Sequence, residues 1–180
     1  MHIRIGGPGD YEALLTLGDE AVAWLVEQGR TGQWGTSPWT GHPRREALMR
    51  ERAAGDGLRI AEESTGEVLG AMVITGEHQS YVSAVDEPEL YINLLITSRR
   101  HIGRGIGAAL VDQARIEARE SGIDLIRVDC YAGDDGKLVR FYTGVGFTPT
   151  ESFIVGEWPG QLLEMRLSTE AEAAAVAKAE

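Results

Sequence analysis

Apolar residues recur along the chain at spacings typical of helices in some segments and of strands in others. From Leu14 to Leu25 they lie three or four positions apart, which predicts a helix that begins after Asp10 as its cap and ends at Gly29. Before this helix, the segment from His2 to Gly7 predicts a first strand. The chain therefore opens with a strand followed by a helix.

Shorter apolar runs and three more helical patterns follow. A stretch rich in glycine and tryptophan, 30–43, predicts a long ordered loop. Helices are predicted at 44–54, 105–120 and 138–145, and strands at 58–62, 68–75, 90–96, 125–130, 147–155 and 161–167. Turns are expected at Ser64-Thr65-Gly66 and at Trp158-Pro159-Gly160. The predicted order is strand, two helices, three strands, helix, strand, helix, two strands.

Length and composition favour one domain. A chain of 180 residues with 43% hydrophobic residues can bury a single core, which we assign to 1–168. The tail 169–180 is rich in Ala and Glu without an apolar stripe, so we expect a frayed helix or disorder there. No run of 18 apolar residues and no secretory signal is visible, so we expect a cytoplasmic protein without a membrane span.

Charge narrows the classes of partner. A net charge of -11 repels nucleic-acid backbones and attracts cationic small molecules, although acidic surfaces also serve solubility alone. Cys130 is the single cysteine, and no Cys/His cluster has zinc-ligand spacing. The sequence therefore predicts neither nucleic-acid binding nor a metal site.

The most informative segment joins the strand 90–96 to the helix 105–120. Its glycine-rich loop is Ile102-Gly103-Arg104-Gly105-Ile106-Gly107-Ala108. The free N–H groups and dipole of a helix start bind anions, and glycines let the backbone approach a phosphate closely. Arg99, Arg100 and Arg104 add positive charge. The segment predicts a site for a phosphorylated ligand.

Two other glycine-rich phosphate sites fit less well. A dinucleotide-binding fold begins with a βαβ unit, whereas this loop follows three consecutive strands. A P-loop needs a Lys after its second glycine, and none stands there.

Two motifs resemble the GCN5-related N-acetyltransferase (GNAT) family. The segment from Ile102 to Gly107 is similar to its Gln/Arg-x-x-Gly-x-Gly/Ala signature, with Ile at the first position. Phe141-Tyr142-Thr143-Gly144-Val145-Gly146-Phe147 is similar to its Tyr-x3-Gly-Phe segment. Asp135 stands where the family often has an Asn, seven residues before that Tyr. The resemblance spans roughly 3–167.

The resemblance implies a fold and a cosubstrate. The fold would be α/β, of the α+β type, with a mixed, mostly antiparallel sheet of about seven strands flanked by about four helices. The cosubstrate would be acetyl-CoA, with its pyrophosphate on the loop 102–108 and its acetyl-pantetheine beside Leu94, Leu95 and Ile96. Contacts from Asp135 and Tyr142 to the cosubstrate are also implied.

Candidate catalytic residues follow from the chemistry of acetyl transfer. Tyr142 is the candidate general acid, because a phenol is protonated at neutral pH, and its alternative role is structural packing. Glu89 is the candidate base, and in a regular strand it shares a face with Tyr91 and Asn93, opposite to Leu90, Ile92 and Leu94. An exposed carboxylate without a catalytic role is the alternative for Glu89.

The acceptor is left open by the sequence. Trp34, Trp39, Tyr91 and Asn93 are the candidate acceptor-binding residues, although the two tryptophans could equally pack in the interior. We expect transfer to a primary amine, with a cationic small molecule preferred over a protein N-terminus or lysine. A non-catalytic acyl-CoA-binding module and a pure interaction domain are the alternatives. A homodimer is left open.

Overall fold

The computed structural model describes residues 1–167 and contains a seven-stranded sheet with helices on both faces. The strands are β1 (His2–Ile5), β2 (Leu58–Glu62), β3 (Val68–Thr75), β4 (Glu89–Thr97), β5 (Leu125–Tyr131), β6 (Thr148–Val155) and β7 (Trp158–Arg166). The helices are α1 (Tyr11–Glu27), α2 (Pro43–Ala54), α3 (Ile106–Glu120) and α4 (Lys137–Gly144). The spatial order is β1-β2-β3-β4-β5-β7-β6, and every pair is antiparallel except β4–β5. The predicted fold class is confirmed.

Each face of the sheet has its own apolar core. Helices α1 and α2 pack on one face, where Leu14, Met49 and Ile60 belong to the same buried cluster. Helices α3 and α4 pack on the other, where Leu110 and Tyr142 belong to a second cluster. Burial of apolar area on both faces is the main favourable contribution to folding. It also fixes the two helix pairs relative to β4 and β5.

Strand β4 contains a bulge that changes which side chains share a face. Val73 pairs with Leu94 and Ile74 with Ile92, so Asn93 is the extra residue. Since a bulge shifts the alternation by one position, Ile92 packs with the α3 cluster while Leu94 packs with the α1 cluster. The prediction that Leu94 lies on the face of Leu90 and Ile92 is therefore wrong.

The parallel strands β4 and β5 separate part of the way along. Their pairing runs from Glu89–Leu125 to Ile92–Val128 and goes no further, although β4 continues to Thr97. Strand β5 stays paired with β7 along its whole length. The two strands therefore form a fork, which begins on β4 at the bulge. From that point on, the backbone groups of β4 that face β5 are not paired with it.

The turn between β6 and β7 differs from the prediction. Val155 pairs with Trp158, so the turn is Gly156-Glu157, and Gly156 has the left-handed φ of 62° that glycine tolerates. Gly160 lies inside β7, where a Cβ would come within 2.3 Å of the Phe153 ring. This glycine marks a close packing contact in the strand, which the sequence pattern does not distinguish from a turn.

Asp10 has a different role from the predicted helix cap. It precedes α1 but makes no side-chain capping bond to it. Instead its carboxylate accepts two hydrogen bonds from Arg4, at 3.0 and 2.7 Å, and one from the N–H of Gly7. The Asp10 carboxylate therefore links β1 to the start of α1.

The Ala/Glu-rich tail 169–180, for which a frayed helix or disorder was predicted, lies outside the described residues. Within 1–167, no helix combines the length and apolar character needed to cross a membrane, and no cluster of three potential metal-binding side chains is present. The cytoplasmic location and the homodimer stay predictions.

Candidate active site

A cavity of about 460 Å³ lies where the loop before α3 meets α4, β4 and the loop after α1. Its lining includes all seven residues of the predicted phosphate loop, 102–108. Leu95, Tyr131, Asp135 and Tyr142 form the wall toward β4, β5 and α4, while Trp24, Arg30 and Trp34 come from the α1 side. The structure therefore brings most of the predicted cosubstrate residues into one cavity.

The glycine loop has a backbone shape that other residues adopt only with strain. Gly103 and Gly105 have φ values of 83° and 72°, and a Cβ built on either would meet no atom within 4 Å. Gly105 is the N-cap of α3 and has no side-chain capping bond, so the first N–H groups of the helix are left for a ligand. Such N–H groups and the helix dipole together suit a pyrophosphate.

Gly107 serves packing between α3 and α4. A Cβ at this position would lie 3.0 Å from the Phe141 ring, closer than an ordinary contact. The absence of a side chain therefore lets α4 approach the first turn of α3. Gly107 therefore allows the close packing of α4 on α3 that places Phe141 and Tyr142 in the cavity wall.

Positive charge surrounds the cavity, although most of it is paired with acids. The Arg99 guanidinium lies 4.7 Å from the centre of the Trp24 ring, and burial lowers the pKa of Arg99. Arg104 forms a salt bridge with Glu63, and Arg100 forms one with Glu20 at 2.9 Å. Arg99 and Arg104 line the cavity and Arg100 does not, so the first two are placed to meet phosphate oxygens.

Asp135 closes the cavity beside α4. Its carboxylate accepts a hydrogen bond from Arg30 at 2.8 Å, which joins the end of α1 to the loop before α4. It also accepts one from the N–H of Lys137 in the first turn of α4. Burial would raise the pKa of Asp135, but the Lys137 N–H and the nearby cations hold it below its ordinary value. The ionised group accepts hydrogen bonds and donates none.

Tyr142 is 5% exposed and reaches the cavity from α4. Its ring packs edge-on between Phe141 and Phe147, with ring centres 5.0 and 5.6 Å away. Its hydroxyl has no hydrogen-bond partner among residues 1–167. Burial raises the pKa of Tyr142, with smaller contributions from Cys130 and Asp129, so the phenol keeps its proton at neutral pH. The group is therefore an available proton donor facing the cavity.

Only one of the three predicted β4 side chains reaches the cavity. Leu95 lines it, whereas Leu94 and Ile96 pack with the α1 cluster on the other face. The bulge at Asn93 is the cause, because it places the odd-numbered residues that follow on the α3 side. Any contribution from 94 and 96 to ligand binding must come from their backbone.

Glu89 does not lie in the cavity with Tyr142. It is 5% exposed and receives two hydrogen bonds from Arg127, at 2.5 and 2.9 Å, while His78 lies 2.7 Å away. Burial would raise the pKa of Glu89, but the hydrogen bonds from Arg127 and His78 hold it below its ordinary value. The structure therefore gives no support to Glu89 as a catalytic base, and we assign it a structural ion pair instead.

The four predicted acceptor residues do not form one group. Trp34 lines the cavity, whereas Trp39 is buried where a Cβ on Gly18 would come within 2.2 Å of its ring. Tyr91 is fully buried under the connection between β3 and β4. Asn93 donates to Thr75 at 2.6 Å and accepts from Gln79 at 2.5 Å. Trp34 alone of the four lines the cavity, where an acceptor could reach it.

The sequence did not reveal the two charged residues within β5, Arg127 and Asp129. With Tyr131 they alternate with Ile126, Val128 and Cys130, so they lie on the face opposite to α3. Arg127 is almost fully buried, and Asp129 accepts hydrogen bonds from the phenols of Tyr91 and Tyr81. Charged residues at alternate positions of an otherwise apolar strand were the available signal.

Comparison with known proteins agrees with this geometry. The Acetyltransferase (GNAT) family model matches residues 20–147. A GNAT acetyltransferase from Listeria monocytogenes superposes with a TM-score of 0.70 at 19% identity, covering 92% of this chain and 94% of its own. The putative acetyltransferase yncA of Salmonella typhimurium, solved with acetyl-CoA, gives 0.64 at 20% identity over 94% and 95%. A ribosomal-protein-alanine N-acetyltransferase from Brucella melitensis gives 0.62 at 20% identity over 93% and 100%. No curated protein matches.

The residues present fit acetyl-CoA. The uncapped start of α3 and its two left-handed glycines suit the pyrophosphate, and Leu95, Leu138 and Phe141 offer an apolar wall to the pantetheine arm. The family match covers more than half of the chain, and structural neighbours contain the same cosubstrate. The chain therefore belongs to the GNAT family of acetyltransferases, with acetyl-CoA as its cosubstrate.

Proposed function

We propose that this protein is an N-acetyltransferase that moves the acetyl group of acetyl-CoA to a primary amine by direct attack in a ternary complex. The main support is the placement of Tyr142, a buried phenol without a partner in 1–167, in the same cavity as the uncapped glycine loop 102–108. Acetyl-CoA supplies an acyl thioester, which an amine can attack without a covalent enzyme intermediate.

Backbone groups of the fork would position the cosubstrate. Beyond Ile92, β4 no longer pairs with β5, so N–H groups on this side of β4 are free to donate to carbonyl oxygens of the bound arm. The helix start at Ile106 would hold the phosphates at the other end of the cavity. The rigid sheet and helix fix these donors before the ligand arrives.

Tyr142 would act as the proton donor to the leaving sulfur. Its burial favours the neutral phenol, so the proton is available throughout the neutral pH range. The neighbouring Cys130 is a poor competitor, since burial raises the pKa of its thiol to about 12. We assign no base to Glu89, because a small neutral fraction of a well-positioned amine is sufficient for attack.

A cationic small molecule is the acceptor that we favour over a protein. The net charge of -11 attracts amines that are protonated at neutral pH. The names of the structural neighbours include both a ribosomal-protein-alanine N-acetyltransferase and a putative phosphinothricin N-acetyltransferase, so they do not distinguish the two classes. The preference therefore rests on charge.

The test is a titration of the purified protein with acetyl-CoA, followed by thiol release against a panel of amines and peptide N-termini. Saturable binding and amine-dependent thiol release are the expected results. Binding without release from any member of the panel would instead favour a non-catalytic acyl-CoA-binding module. A protein that does not bind acetyl-CoA would contradict the proposal at its first step.

A further inference from the structure

Two acids on the same face of the sheet have opposite surroundings. Glu89 is neutralised by Arg127 and lies 2.7 Å from His78. Asp129, two residues beyond Arg127, accepts side-chain hydrogen bonds from the phenols of Tyr91 at 2.5 Å and Tyr81 at 3.2 Å. In the part of the chain that the structure describes, no Lys, Arg or His nitrogen lies within 4 Å of the Asp129 carboxylate. Asp129 is thus a partly buried acid without a countercharge.

The two phenols hold the Asp129 carboxylate in place but do not neutralise it. Each donates one hydrogen bond to a different carboxylate oxygen, which fixes the orientation of the group. Burial raises the pKa of Asp129, and the hydrogen bonds from Tyr91 and Tyr81 only partly oppose that effect. A partly desolvated carboxylate gains more from an incoming cation than an exposed one does.

Asp129 lies at the opening of the fork, next to the cavity. It is the first residue of β5 beyond the last pair with β4, Ile92–Val128. Tyr131 follows on the same face of β5, about 7 Å along the strand, and lines the cavity. The charge of Asp129 also contributes to the raised pKa of Tyr142, which packs in the α3 cluster on the other face of the sheet.

A row of aromatic rings joins Asp129 to the cavity. The Tyr81 ring centre lies 5.3 Å from that of Phe153, Phe153 lies 6.2 Å from Trp158, and Trp158 lies 5.7 Å from Tyr131. Aromatic faces attract cations and pack against apolar groups. The row therefore suits a molecule with both an ammonium group and an apolar body.

The two arginines near Asp129, Arg127 and Arg52, do not neutralise its carboxylate. The guanidinium of Arg127 binds Glu89 and the carbonyl oxygen of Ser83. Arg52, on α2, lowers the pKa of Tyr81 through its charge but forms no salt bridge with Asp129. Among residues 1–167, neither arginine forms a salt bridge with the Asp129 carboxylate, whose hydrogen bonds from other side chains come from the two phenols.

We propose that Asp129, held by Tyr91 and Tyr81 at the opening of the β4–β5 fork, binds the ammonium group of an acceptor whose body packs on the row Tyr81, Phe153, Trp158 and Tyr131. The acceptor class is thus a primary ammonium on an apolar or aromatic body. The inference rests on the proposed function, because it names the acceptor site of the same reaction. It adds a specificity-determining residue that neither sequence motif contains.

The test measures amine binding directly, without turnover. We would titrate the protein, saturated with CoA, with 2-phenylethylamine and with the uncharged analogue 2-phenylethanol in a calorimeter. We expect the wild type to bind the amine at least about 10-fold more tightly than the alcohol, and Asp129→Asn to remove that difference. Asp124→Asn, an exposed change of the same charge just before β5, should behave as the wild type does.

The possible outcomes separate this inference from the proposed function. Equal amine binding by the wild type and Asp129→Asn, or no preference of the wild type for the amine, would overturn the ammonium site even if other amines are acetylated. An amine preference that depends on Asp129, without thiol release from any amine, would instead overturn the proposed acetyl transfer and leave the site standing. The wild-type comparison of amine with alcohol stays decisive if Asp129→Asn does not fold.

Discussion

The cavity beside α3 and the opposite face of β5 meet at one fork but are built from different groups. On the cavity side, the proposed ligand-binding groups are N–H groups of a glycine loop and a helix start. On the opposite face, the proposed groups are side chains, an acid held by two phenols and a row of aromatic rings. A backbone site depends on local conformation, whereas a side-chain site depends on which strands pair and in what register.

The opposite face also contains a second contrast, between its two acids. Glu89 has a guanidinium partner inside the protein, and Asp129 has none within 1–167. We interpret the first as part of the fold and the second as part of the function, because an uncompensated buried charge is costly and persists where a ligand supplies the partner.

The largest expected effect is on stability, from Glu89→Gln. The change leaves the buried Arg127 without its countercharge, which should lower the free energy of unfolding by about 3–5 kcal/mol, measured by denaturant titration. The matched control is Glu87→Gln, which breaks a solvent-exposed pair with Arg166 and should change the stability little. Thiol release per folded molecule should not change, and a large fall would restore Glu89 as a catalytic candidate.

The same pair predicts a dependence on pH. Because the pKa of Glu89 is lower in the folded protein than in the unfolded chain, its stabilising contribution is complete above the unfolded value of about 4.3 and is lost as the pH falls through the folded value. The stability difference between wild type and Glu89→Gln should therefore shrink as the pH falls below about 4. A difference independent of pH down to acid unfolding would contradict the ion pair.

The next effect is on turnover, from Tyr142→Phe. Loss of the proton donor should lower kcat about 100-fold while acetyl-CoA affinity changes less than about twofold, because the ring and its packing are retained. The rate of thiol release at saturating substrates measures kcat, and a titration with acetyl-CoA measures the affinity. Tyr11→Phe, which removes a phenol that accepts from Arg50 outside the cavity, is the control. Unchanged kcat would exclude Tyr142 as the general acid.

Among the three substitutions, the smallest effect is expected in the glycine loop, from Gly105→Ala. Gly105→Ala and Gly66→Ala both place a Cβ on a residue with left-handed φ and open space around it, so each should cost about 1–2 kcal/mol of stability. Only Gly105→Ala should weaken acetyl-CoA binding, by about 10-fold, because Gly66 lies in the turn between β2 and β3. Equal acetyl-CoA affinities for the two variants would argue against a pyrophosphate on this loop.

The sequence predicted the fold well where each element has its own apolar pattern. The helix was recognised from the helical spacing of apolar residues between Leu14 and Leu25, and the strand Val68–Thr75 from a short, nearly continuous apolar run. The β6–β7 turn was misplaced because glycine serves both turns and close contacts. Gly156 has the left-handed φ of the turn, whereas Gly160 lies in the strand against the Phe153 ring.

Within the site too, the sequence predicted the features that depend on nearby residues and not those that depend on long-range contacts. The loop 102–108 and Tyr142 were found from the sequence, since the motifs that contain them depend on residues only a few positions apart. The partners of Glu89 and Asp129 were not found, because they come from segments that only the sheet brings together.

By itself the sequence determined the order of the elements, the glycine loop at the start of α3 and the phenol on α4, since these depend on neighbours within a few positions. The tertiary structure decided which face each β4 side chain occupies, through the single bulge at Asn93. It also decided which acid is neutralised, because Arg127 and Glu89 are 38 residues apart and meet only through β4–β5 pairing. Charge pairing across strands depends on register, and register is a property of the whole sheet.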